Sequence, residues 1–535
     1  MDRHHSAGPP GSRTSAALVC SPLVPSSTLD PWWRSGVVYQ VYPRSFADAD
    51  GDGVGDLEGV RQRLDHLAWL GVDAVWLSPF YRSPMHDYGY DVADFRDVDR
   101  LFGDLAAFDR LLDEAHARGI RIVVDLVPNH SSIDHPWFQA SRSSRDDPKR
   151  DWYVWRDGVG PDAPPNNWRG AFIDDGRAWT WDATTEQWYL HQFLPEQPDL
   201  NWDNPEVVEA MHGVMRFWLD RGVDGFRIDV VHCIGRDPAF PDDVPPWSDL
   251  PHCVSNEHPS THAHIRAMRT LTDGYDGDRV LIGETALPGT SFVAPYYGDG
   301  DELHLAFNFA ATHAPWDAAA WRTRIERIEE LLDPRGAWPT WVLSNHDIVR
   351  HRTRYGGGEA TARAAAVASL TLRGTPFLYA GEELGLEDAV VPAARVLDPG
   401  GRDGCRAPVP WTRTEDHGWG PEPWLPFPPE ASARSAEAQR EDPASVLHLY
   451  RRLLAARRAS PALRTGTQTL LDSPPGTLGW RRAAEGDERI VLVNMGAASV
   501  GLPFEGTVEV ASDGQDEGHP FSGDLTPGTA VLLQP

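Results

Sequence analysis

The chain has 535 residues, of which 41% are hydrophobic, and its 79 acidic and 49 basic side chains give a net charge of −30. This composition is typical of a folded globular protein, and the length is enough for two to four domains or for one large barrel with appended parts. Because so negative a chain repels phosphate backbones, we expect no nucleic-acid partner.

The N-terminus and the cysteines indicate where the protein works. Residues 1–30 are rich in Ser, Pro and Gly, and we interpret them as a disordered leader, because their longest apolar run, Ala16–Cys20, is too short for a signal peptide. No stretch is long and apolar enough to cross a membrane. The widely spaced cysteines favour free thiols over a disulfide framework or a zinc site; they are Cys20, Cys233, Cys253 and Cys405. We therefore predict a cytoplasmic protein with no membrane partner.

Short runs rich in β-branched residues alternate with helical patterns along most of the chain. The predicted strands are Val37–Tyr42, Ala74–Ser78, Ile120–Val127, Asp224–Val231, Arg279–Gly283, Leu303–Phe309, Pro339–Ser344 and Pro376–Ala380. The amphipathic stretches between them include Leu57–Leu70, Leu105–Arg118, Glu206–Arg221 and Thr361–Leu372. Eight strand–helix units in order predict an α/β fold, a parallel (β/α)8 TIM barrel. A doubly wound sheet is the alternative, but no Gly-rich phosphate loop follows the first strand.

Two segments depart from this alternation. Residues 131–204 have no clear helical period and are full of Trp, Pro, Asp and Asn, so we predict an inserted cleft subdomain after the third strand. The barrel then comprises residues 31–130 and 205–458. Residues 459–535 contain short apolar runs separated by Gly, Asp and Pro, which predict a C-terminal antiparallel β-sandwich; the runs are Arg489–Asn494, Gly506–Ala511 and Thr529–Leu533.

Polar side chains gather at the ends of the predicted strands. They are Asp125, Asn129 and His130 at the third strand, Arg227 and Asp229 at the fourth, Glu284 at the fifth, and Asn345, His346 and Asp347 at the seventh. Barrel enzymes carry their chemistry at the carboxyl ends of the strands. This rim is therefore the predicted active site.

Asp229 and Glu284 lie on adjacent predicted strands and suit retaining cleavage of a glycosidic bond. That reaction needs an ionised carboxylate as nucleophile and a protonated carboxyl as acid, about 5–5.5 Å apart. Arg227 shares a strand face with Asp229, so we expect its guanidinium to lower the pKa of Asp229. Glu284 feels the charge of Asp229 and is expected to hold the proton. An isolated Arg–Asp pair is more often structural, and only the neighbouring polar residues favour the catalytic interpretation.

Motifs at four of these strand ends occur in a fixed order along the chain. They are Asp125–His130, Gly225–Asp229, Gly283–Glu284 and Ser344–Asp347. With them the chain resembles glycoside hydrolase family 13, the α-amylase family, from about Pro31 to the C-terminus. The resemblance implies that Asp229 is the nucleophile, Glu284 the general acid/base and Asp347 a third carboxylate that stabilises the transition state. It also implies a set of side chains that bind the sugar at the cleaved bond, namely His130, Arg227 and His346.

Further motifs resemble the α-glucosidase and oligo-1,6-glucosidase branch of that family. After the second strand, the resemblance implies that Tyr90 stacks on the sugar and that Asp87 binds hydroxyls of its non-reducing end. The block Gly401–Trp411 resembles the branch's arginine motif, in which Arg406 is the expected partner of Asp87 and Arg402 the second choice. Such an Asp–Arg clamp makes a dead-end pocket, so single terminal glucose units should be removed. Another motif of the branch, expected to shape the pocket wall, is Gln197–Asp203.

An acidic loop follows the first strand and departs from an EF-hand, because its twelfth position is Gly59. It better resembles the metal loop of oligo-1,6-glucosidase relatives. The resemblance implies a structural Ca²⁺ or Mg²⁺ ion, which prefers oxygen ligands, held by Asp48, Asp50, Asp52, the Val54 carbonyl and Asp56. An acidic turn without metal remains the alternative, and no organic cofactor is expected.

Two features disagree about the linkage that is cleaved. Val230, directly after the expected nucleophile, is a valine in many α-1,6-cleaving relatives, whereas the block Arg402–Trp411 looks more like maltose-cleaving α-glucosidases. The longer motif carries more information. We therefore predict an exo-acting retaining α-glucosidase that acts on maltose and short malto-oligosaccharides, with α-1,4 preference and some α-1,6 activity.

Other functions are compatible with the same catalytic trio. One is an oligo-1,6-glucosidase, and another is a transglycosylase or isomerase, such as trehalose or isomaltulose synthase, in which a sugar replaces water as acceptor. The segment Glu387–Gly401 is short beside relatives and is expected to border the substrate entrance, so acceptor preference stays open. An inactive transporter partner is disfavoured because the trio is present. Small α-glucosides are the expected partners, and the oligomeric state is open between monomer and dimer.

Overall fold

The computed structural model describes residues 30–172, 176–243, 258–287, 289–309 and 312–535. All of the predicted leader except Asp30 lies outside these ranges, as do Cys20 and Cys253. Cys233 and Cys405 are both buried, and neither forms a disulfide with another described cysteine. No helix in the described ranges combines the length and the apolar character that crossing a membrane requires.

Eight parallel strands form the central sheet, and we number them in chain order. They are β1 Val38–Val41, β2 Ala74–Leu77, β3 Arg121–Leu126, β4 Gly225–Ile228, β5 Val280–Gly283, β6 Leu305–Ala306, β7 Thr340–Val342 and β8 Thr375–Tyr379. Each lies within the corresponding predicted strand or extends it by one residue. Strands that are consecutive in sequence are neighbours in the sheet from β1 to β6, and β1 also pairs with β8. The sheet therefore curves into the predicted barrel.

Side chains complete the barrel between β6 and β7, which share no ladder of main-chain bonds. The Thr340 hydroxyl donates to the Ala306 carbonyl at 2.8 Å and accepts from the Asn308 amide at 3.2 Å. Beyond the strand ends, the Thr312 hydroxyl donates to the Val342 carbonyl at 2.6 Å. These bonds satisfy main-chain groups that the short β6 leaves without a strand partner.

Helices cover the outer face of the sheet. In Leu105–Ala117, Asp104 caps the first turn by accepting from an amide, and Phe108 and Leu111 are buried on one face. The predicted helix over residues 57–70 is two helices, because Arg63 leaves helical geometry at φ −99° and ψ 4°. The other barrel helices of at least six residues are Pro205–Arg221, Ser260–Asp273, Ala318–Leu332, Glu359–Thr371, Ala436–Glu441 and Val446–Ala459. The two halves of the broken helix are Leu57–Gln62 and Leu64–Leu70, and short α-helical turns are Trp32–Ser35, Pro43–Phe46, Thr290–Val293, His351–Arg354 and Ala431–Arg434.

The long connection after β3 folds over the rim of the barrel. It contains the helix Pro136–Ser143 and a three-stranded antiparallel sheet made of Trp155–Arg156, Gln187–Leu190 and Trp179–Asp182. Trp179 and Trp188 of this sheet are buried in one cluster with Trp168, which precedes it. The two ends of the connection meet, because His130 and Asp199 form a β-bridge. A small hairpin, Tyr81–Arg82 with Asp94–Val98, follows β2.

The C-terminal part is antiparallel, as predicted, and follows the helix Pro461–Thr465. Its main sheet has five strands in the order Thr467–Leu471, Thr477–Ala484, Asp487–Asn494, Ala530–Gln534 and Thr507–Ala511. A two-stranded ribbon, Val500–Gly501 with Asp524–Leu525, packs on this sheet through Leu492, Leu502 and Leu525. The first two strands of the main sheet were not predicted, because their polar residues mask the alternation that marks a strand.

Candidate active site

Arg227 on β4 is the centre of the charged network at the carboxyl ends of the strands. Its side chain is fully buried. Nη1 donates to Asp125 Oδ1 and to Asp229 Oδ1, both at 2.7 Å, and Nη2 donates to Glu284 Oε2 at 2.5 Å. The register explains this convergence: Arg227 lies opposite Asp125 on β3 and opposite Ile282 on β5, two residues before Glu284. Three carboxylates from three strands thus share one guanidinium.

Asp229 and Glu284 form a coupled pair, and the predicted direction of the Asp229 pKa is wrong. Burial is the largest influence and raises the pKa of Asp229 well above its usual range; Glu284 and Asp125 add to the rise, while Arg227 opposes it. A hydrogen bond between the two carboxyls also contributes. The sequence pattern places Arg227 beside Asp229, but it does not show how deeply Asp229 is buried or that Asp125 also lies close to it. Burial and the neighbouring carboxylates thus act together against the charged form of Asp229, and Arg227 offsets only part of that effect.

Val230 contacts the same pair through its main chain. Its amide donates to Glu284 Oε2 at 3.2 Å. The residue has a φ of 34°, in the left-handed region that β-branched residues rarely adopt. This turn directs the chain after β4 back towards Glu284, so a strained residue lies beside Asp229 and Glu284.

Asp125 anchors Arg227 from below and was predicted as part of the rim without a role. Its Oδ2 accepts from Trp76 Nε1 at 2.9 Å, and its carbonyl accepts from the Tyr81 hydroxyl. Burial raises its pKa to about 6, against the opposing effect of Arg227. Trp76, whose ring lies 5.0 Å from the Arg227 Cζ, covers the guanidinium. Asp125 and Trp76 therefore fix the position of Arg227.

The His346 ring stacks on the Tyr90 ring, with their centroids 5.3 Å apart and an interplanar angle of 9°. The Gln40 side-chain amide donates to His346 Nδ1 at 2.7 Å. Burial lowers the pKa of His346 to about 3, so the ring is neutral. Since Nδ1 accepts, the proton lies on Nε2, which is 2.6 Å from the Tyr90 hydroxyl. Gln40 was not predicted; its signal is a single polar residue within the apolar strand β1.

Two guanidinium groups lie next to Asp347. Arg402 Nη1 donates to its Oδ1 at 2.9 Å, and Arg406 Nη2 donates to the same oxygen at 3.1 Å. Burial alone would raise the pKa of Asp347, but the charges of Arg402 and Arg406 hold it well below the usual range. Asp347 is therefore ionised, and its side chain is 27% exposed towards the pocket.

The arginine that clamps Asp87 is Arg402, and the prediction that named Arg406 is wrong. Arg402 Nη2 donates to Asp87 Oδ1 at 2.6 Å. Asp398, four residues earlier in the same loop, accepts from Arg402 Nε at 2.9 Å and from Nη2 at 2.6 Å, and this pair aims the guanidinium at Asp87. Arg406 is fully buried, and its Nε donates to the His346 carbonyl at 2.7 Å. That bond holds Arg406 behind Asp347 and away from Asp87.

Gln197 brings the insertion after β3 into the site. Its Nε2 lies 3.1 Å from Asp87 Oδ2 and 3.1 Å from His130 Nε2. Burial lowers the pKa of His130 to about 3, so this imidazole is also neutral. The motif that contains Gln197 was expected to shape the wall. One of its residues joins two of the predicted sugar-binding side chains.

The acidic loop after β1 lies near the barrel rim and gathers three of its four carboxylates. Oxygen atoms of Asp48, Asp50 and Asp56 all lie within 4.8 Å of one another. Asp52 instead accepts from the Val54 amide at 2.8 Å. Three clustered carboxylates fit a hard cation such as Ca²⁺ or Mg²⁺. Asp56 also accepts from the Ala49 and Gly59 amides, which holds the loop closed.

Comparison with known proteins agrees with this arrangement. The chain matches the model of the α-amylase catalytic domain over residues 40–466. It is 40% identical to a probable α-glucosidase of Rhizobium meliloti (strain 1021), over 94% of this chain and 96% of the relative. It is 37% identical to an oligo-1,6-glucosidase of Parageobacillus thermoglucosidasius, over 86% and 90% of the two chains. A solved structure of an α-glucosyl transfer enzyme, 40% identical, superposes with a TM-score of 0.87, covering 95% of this chain and 100% of the other.

Proposed function

Because this chain belongs to the α-amylase family, glycoside hydrolase family 13, and is a glycosidase, we propose that it is an exo-acting retaining α-glucosidase. Its substrates are maltose and short malto-oligosaccharides, from which it removes the terminal α-1,4-linked glucose. The observation that carries this proposal is the clamp between Asp87 and Arg402, at 2.6 Å, directly beside Asp347. A clamp that joins the loop after β2 to the loop after β8 blocks a long chain from passing through the groove.

In the first step, Glu284 gives its proton to the glycosidic oxygen as the bond from that oxygen to the anomeric carbon breaks. The Asp229 carboxylate attacks the anomeric carbon and forms a β-glucosyl ester. Arg227 supports this step, because its guanidinium donates to both Asp229 and Glu284 and stabilises negative charge on the nucleophile. General acid assistance of this kind contributes roughly 10²–10⁴-fold.

In the second step, Glu284 takes a proton from water, and the water oxygen attacks the anomeric carbon. The bond to Asp229 breaks, and glucose leaves in the α form. Asp347, kept ionised by Arg402 and Arg406, stabilises the positive charge that develops on the sugar in both steps. The neutral imidazoles of His130 and His346 serve as hydrogen-bonding partners for sugar hydroxyls without adding charge.

A second function, glucosyl transfer to a sugar or alcohol, is supported by the similarity to an α-glucosyl transfer enzyme. It uses the same covalent ester and differs only in the acceptor. The oligo-1,6-glucosidase relative and Val230 support α-1,6 cleavage as a further activity. We rank α-1,4 hydrolysis first because the Arg402–Trp411 block carries more residues than the single valine.

Product analysis on maltose, isomaltose, sucrose and trehalose tests these proposals. We expect faster release of glucose from maltose than from isomaltose, and proton NMR should show the α anomer first. An initial β anomer would contradict a retaining mechanism. If oligosaccharides were the main products at both low and high maltose concentration, the main activity would be glucosyl transfer and not hydrolysis.

We also propose that the loop after β1 binds a structural Ca²⁺ or Mg²⁺ ion through Asp48, Asp50 and Asp56, with the Val54 carbonyl and Asp52 as further expected ligands. The cluster of carboxylate oxygens supports this proposal. The ion would offset the repulsion among the carboxylates of the loop. A chelator should lower the melting temperature of the wild type, and Asp50→Asn should remove that sensitivity. If neither a chelator nor added Ca²⁺ changed the melting temperature of the wild type, the loop would be an acidic turn that binds no metal.

A further inference from the structure

A cavity of about 220 Å³ lies at the amino-terminal end of the barrel, on the side away from the candidate active site. Its walls come from the start of β1, the start of β2 and the helices Val446–Ala459 and Pro461–Thr465. These helices connect the barrel to the C-terminal sheets. The polar lining residues that matter below are Ser35, Asp73, Arg457, Arg458 and Arg464.

Positive charge exceeds negative charge on the lining of this cavity. Arg458 Nη2 donates to Asp73 Oδ1 at 3.0 Å, and that is the single carboxylate on the lining. Arg457 is buried and donates to the carbonyls of Leu370 and Gly374, which are neutral acceptors. The described part of the chain offers Arg464 no ion-pair partner within 4.0 Å. Within the described residues, Arg457 and Arg464 therefore have no carboxylate within salt-bridge distance.

The charges around the cavity also act on Arg457. Burial is the main influence that lowers the pKa of Arg457 to about 10; Asp73 opposes this fall, and Arg464 adds to it. Like charges that face one cavity repel each other, and an anion bound between them offsets this repulsion. The chain as a whole carries a net charge of −30, so a cavity with more cationic than anionic side chains differs from the rest of the protein.

We propose that this cavity binds a phosphate group, either as free inorganic phosphate or as part of a small phosphate ester. Planar guanidinium groups match the oxygens of phosphate and bind them with charge-assisted hydrogen bonds. The volume exceeds the roughly 30 Å³ share of one water molecule several times, so it accepts a phosphate with part of an ester group. A bound phosphate would link the first two strands to the helices that precede the C-terminal sheets, and it would act on stability rather than on the glycosidic bond.

Thermal unfolding and calorimetric titration of the full chain test the proposal with sodium phosphate against sodium chloride at equal ionic strength. We expect a saturable rise in melting temperature with phosphate alone. Arg464→Gln should weaken phosphate binding about tenfold, the loss expected for one charge-assisted hydrogen bond. Arg335→Gln is the matched control, because Arg335 is also exposed, donates to the Leu331 carbonyl at 2.8 Å and is not part of the cavity lining. It should bind phosphate like the wild type.

Two results would overturn the proposal. One is a phosphate effect no larger than that of chloride, and the other is equal phosphate affinity in Arg464→Gln and the wild type. Phosphate that binds in the candidate active site would inhibit maltose hydrolysis competitively, and Arg464→Gln would not change that inhibition. This result would also contradict phosphate binding in the cavity. A parallel titration with glycerol phosphate distinguishes the two sources: tighter binding than inorganic phosphate identifies an ester, and weaker binding identifies the free ion.

Discussion

Arg227 and Arg482 are both completely buried, yet they do different work at two places in the molecule. Arg227 donates to three carboxylates at the rim of the barrel. Arg482, on a strand of the C-terminal sheet, donates to main-chain carbonyls, those of Thr371 at 2.7 Å, Gly466 at 3.1 Å and Thr467 at 3.3 Å. A carboxylate side chain that bonds an arginine can turn to bind or attack a substrate. A main-chain carbonyl cannot, because the fold fixes its position.

The acid–base behaviour of the two arginines differs for the same reason. Burial alone would lower the pKa of each. At Arg227 the carboxylates overcome burial and raise the pKa well above its usual range. At Arg482 burial and the nearby Arg457 lower it. A buried guanidinium surrounded by anions organises a charged site, while one surrounded by carbonyls caps the end of a helix and joins two parts of the chain.

The largest expected effect is at the carboxylates around Arg227. Asp229→Ala should reduce kcat roughly 10⁴-fold or more, since it removes the nucleophile. Glu284→Gln should reduce it roughly 10²–10⁴-fold at neutral pH, because the amide cannot transfer a proton. Steady-state kinetics on maltose and circular dichroism measure activity and folding, and both variants should remain folded.

Asp224→Asn is the matched control for these variants, because Asp224 precedes β4 at its other end. Its carboxylate accepts from the Ile122 amide at 2.9 Å and from Arg279 at 2.9 Å, away from the pocket. This variant should lose stability and keep its kcat. Wild-type activity in Asp229→Ala would contradict this prediction. So would a folded Asp224→Asn variant that loses as much kcat as Asp229→Ala, because the two ends of β4 would then not differ in function.

The next effect separates the two arginines of the Gly401–Trp411 block. Arg402→Lys should lower kcat/KM for maltose by about 10²-fold, because lysine cannot bridge Asp87 and Asp347 at once. The loss should shrink as the malto-oligosaccharide grows, since an opened clamp admits longer chains. Arg406→Lys is the comparison, and it should not change the dependence on chain length. The same chain-length profile in both variants would mean that Arg402 does not close the pocket.

The smallest effect on activity is expected at Arg482. Arg482→Met leaves buried carbonyls without a donor and should lower the free energy of unfolding by about 1–3 kcal/mol. Its kcat/KM on maltose should equal that of the wild type. Urea denaturation and kinetics on the same preparation measure both quantities. A loss of activity in the folded variant would show that the C-terminal sheet acts on the site.

Local patterns predicted the elements and most of the site residues. All eight barrel strands lie where runs of β-branched residues indicated them, and Arg227, Asp229, Glu284 and Asp347 meet at one rim. The first strands of the C-terminal sheet were missed because residues such as Arg481 and Arg482 hide their alternation. Gln40 was missed because one polar residue within a strand gives no indication of a partner 306 residues away.

By itself, the sequence determined the barrel, the order of its strands and the residues available for chemistry, because these depend on local periodicity and on short motifs. Only the tertiary structure decided which arginine meets Asp87 and in which direction the pKa of Asp229 moves. The first depends on Asp398, which aims Arg402 across the pocket. The second depends on burial and on Glu284, and both follow from distances between residues that are far apart in the chain.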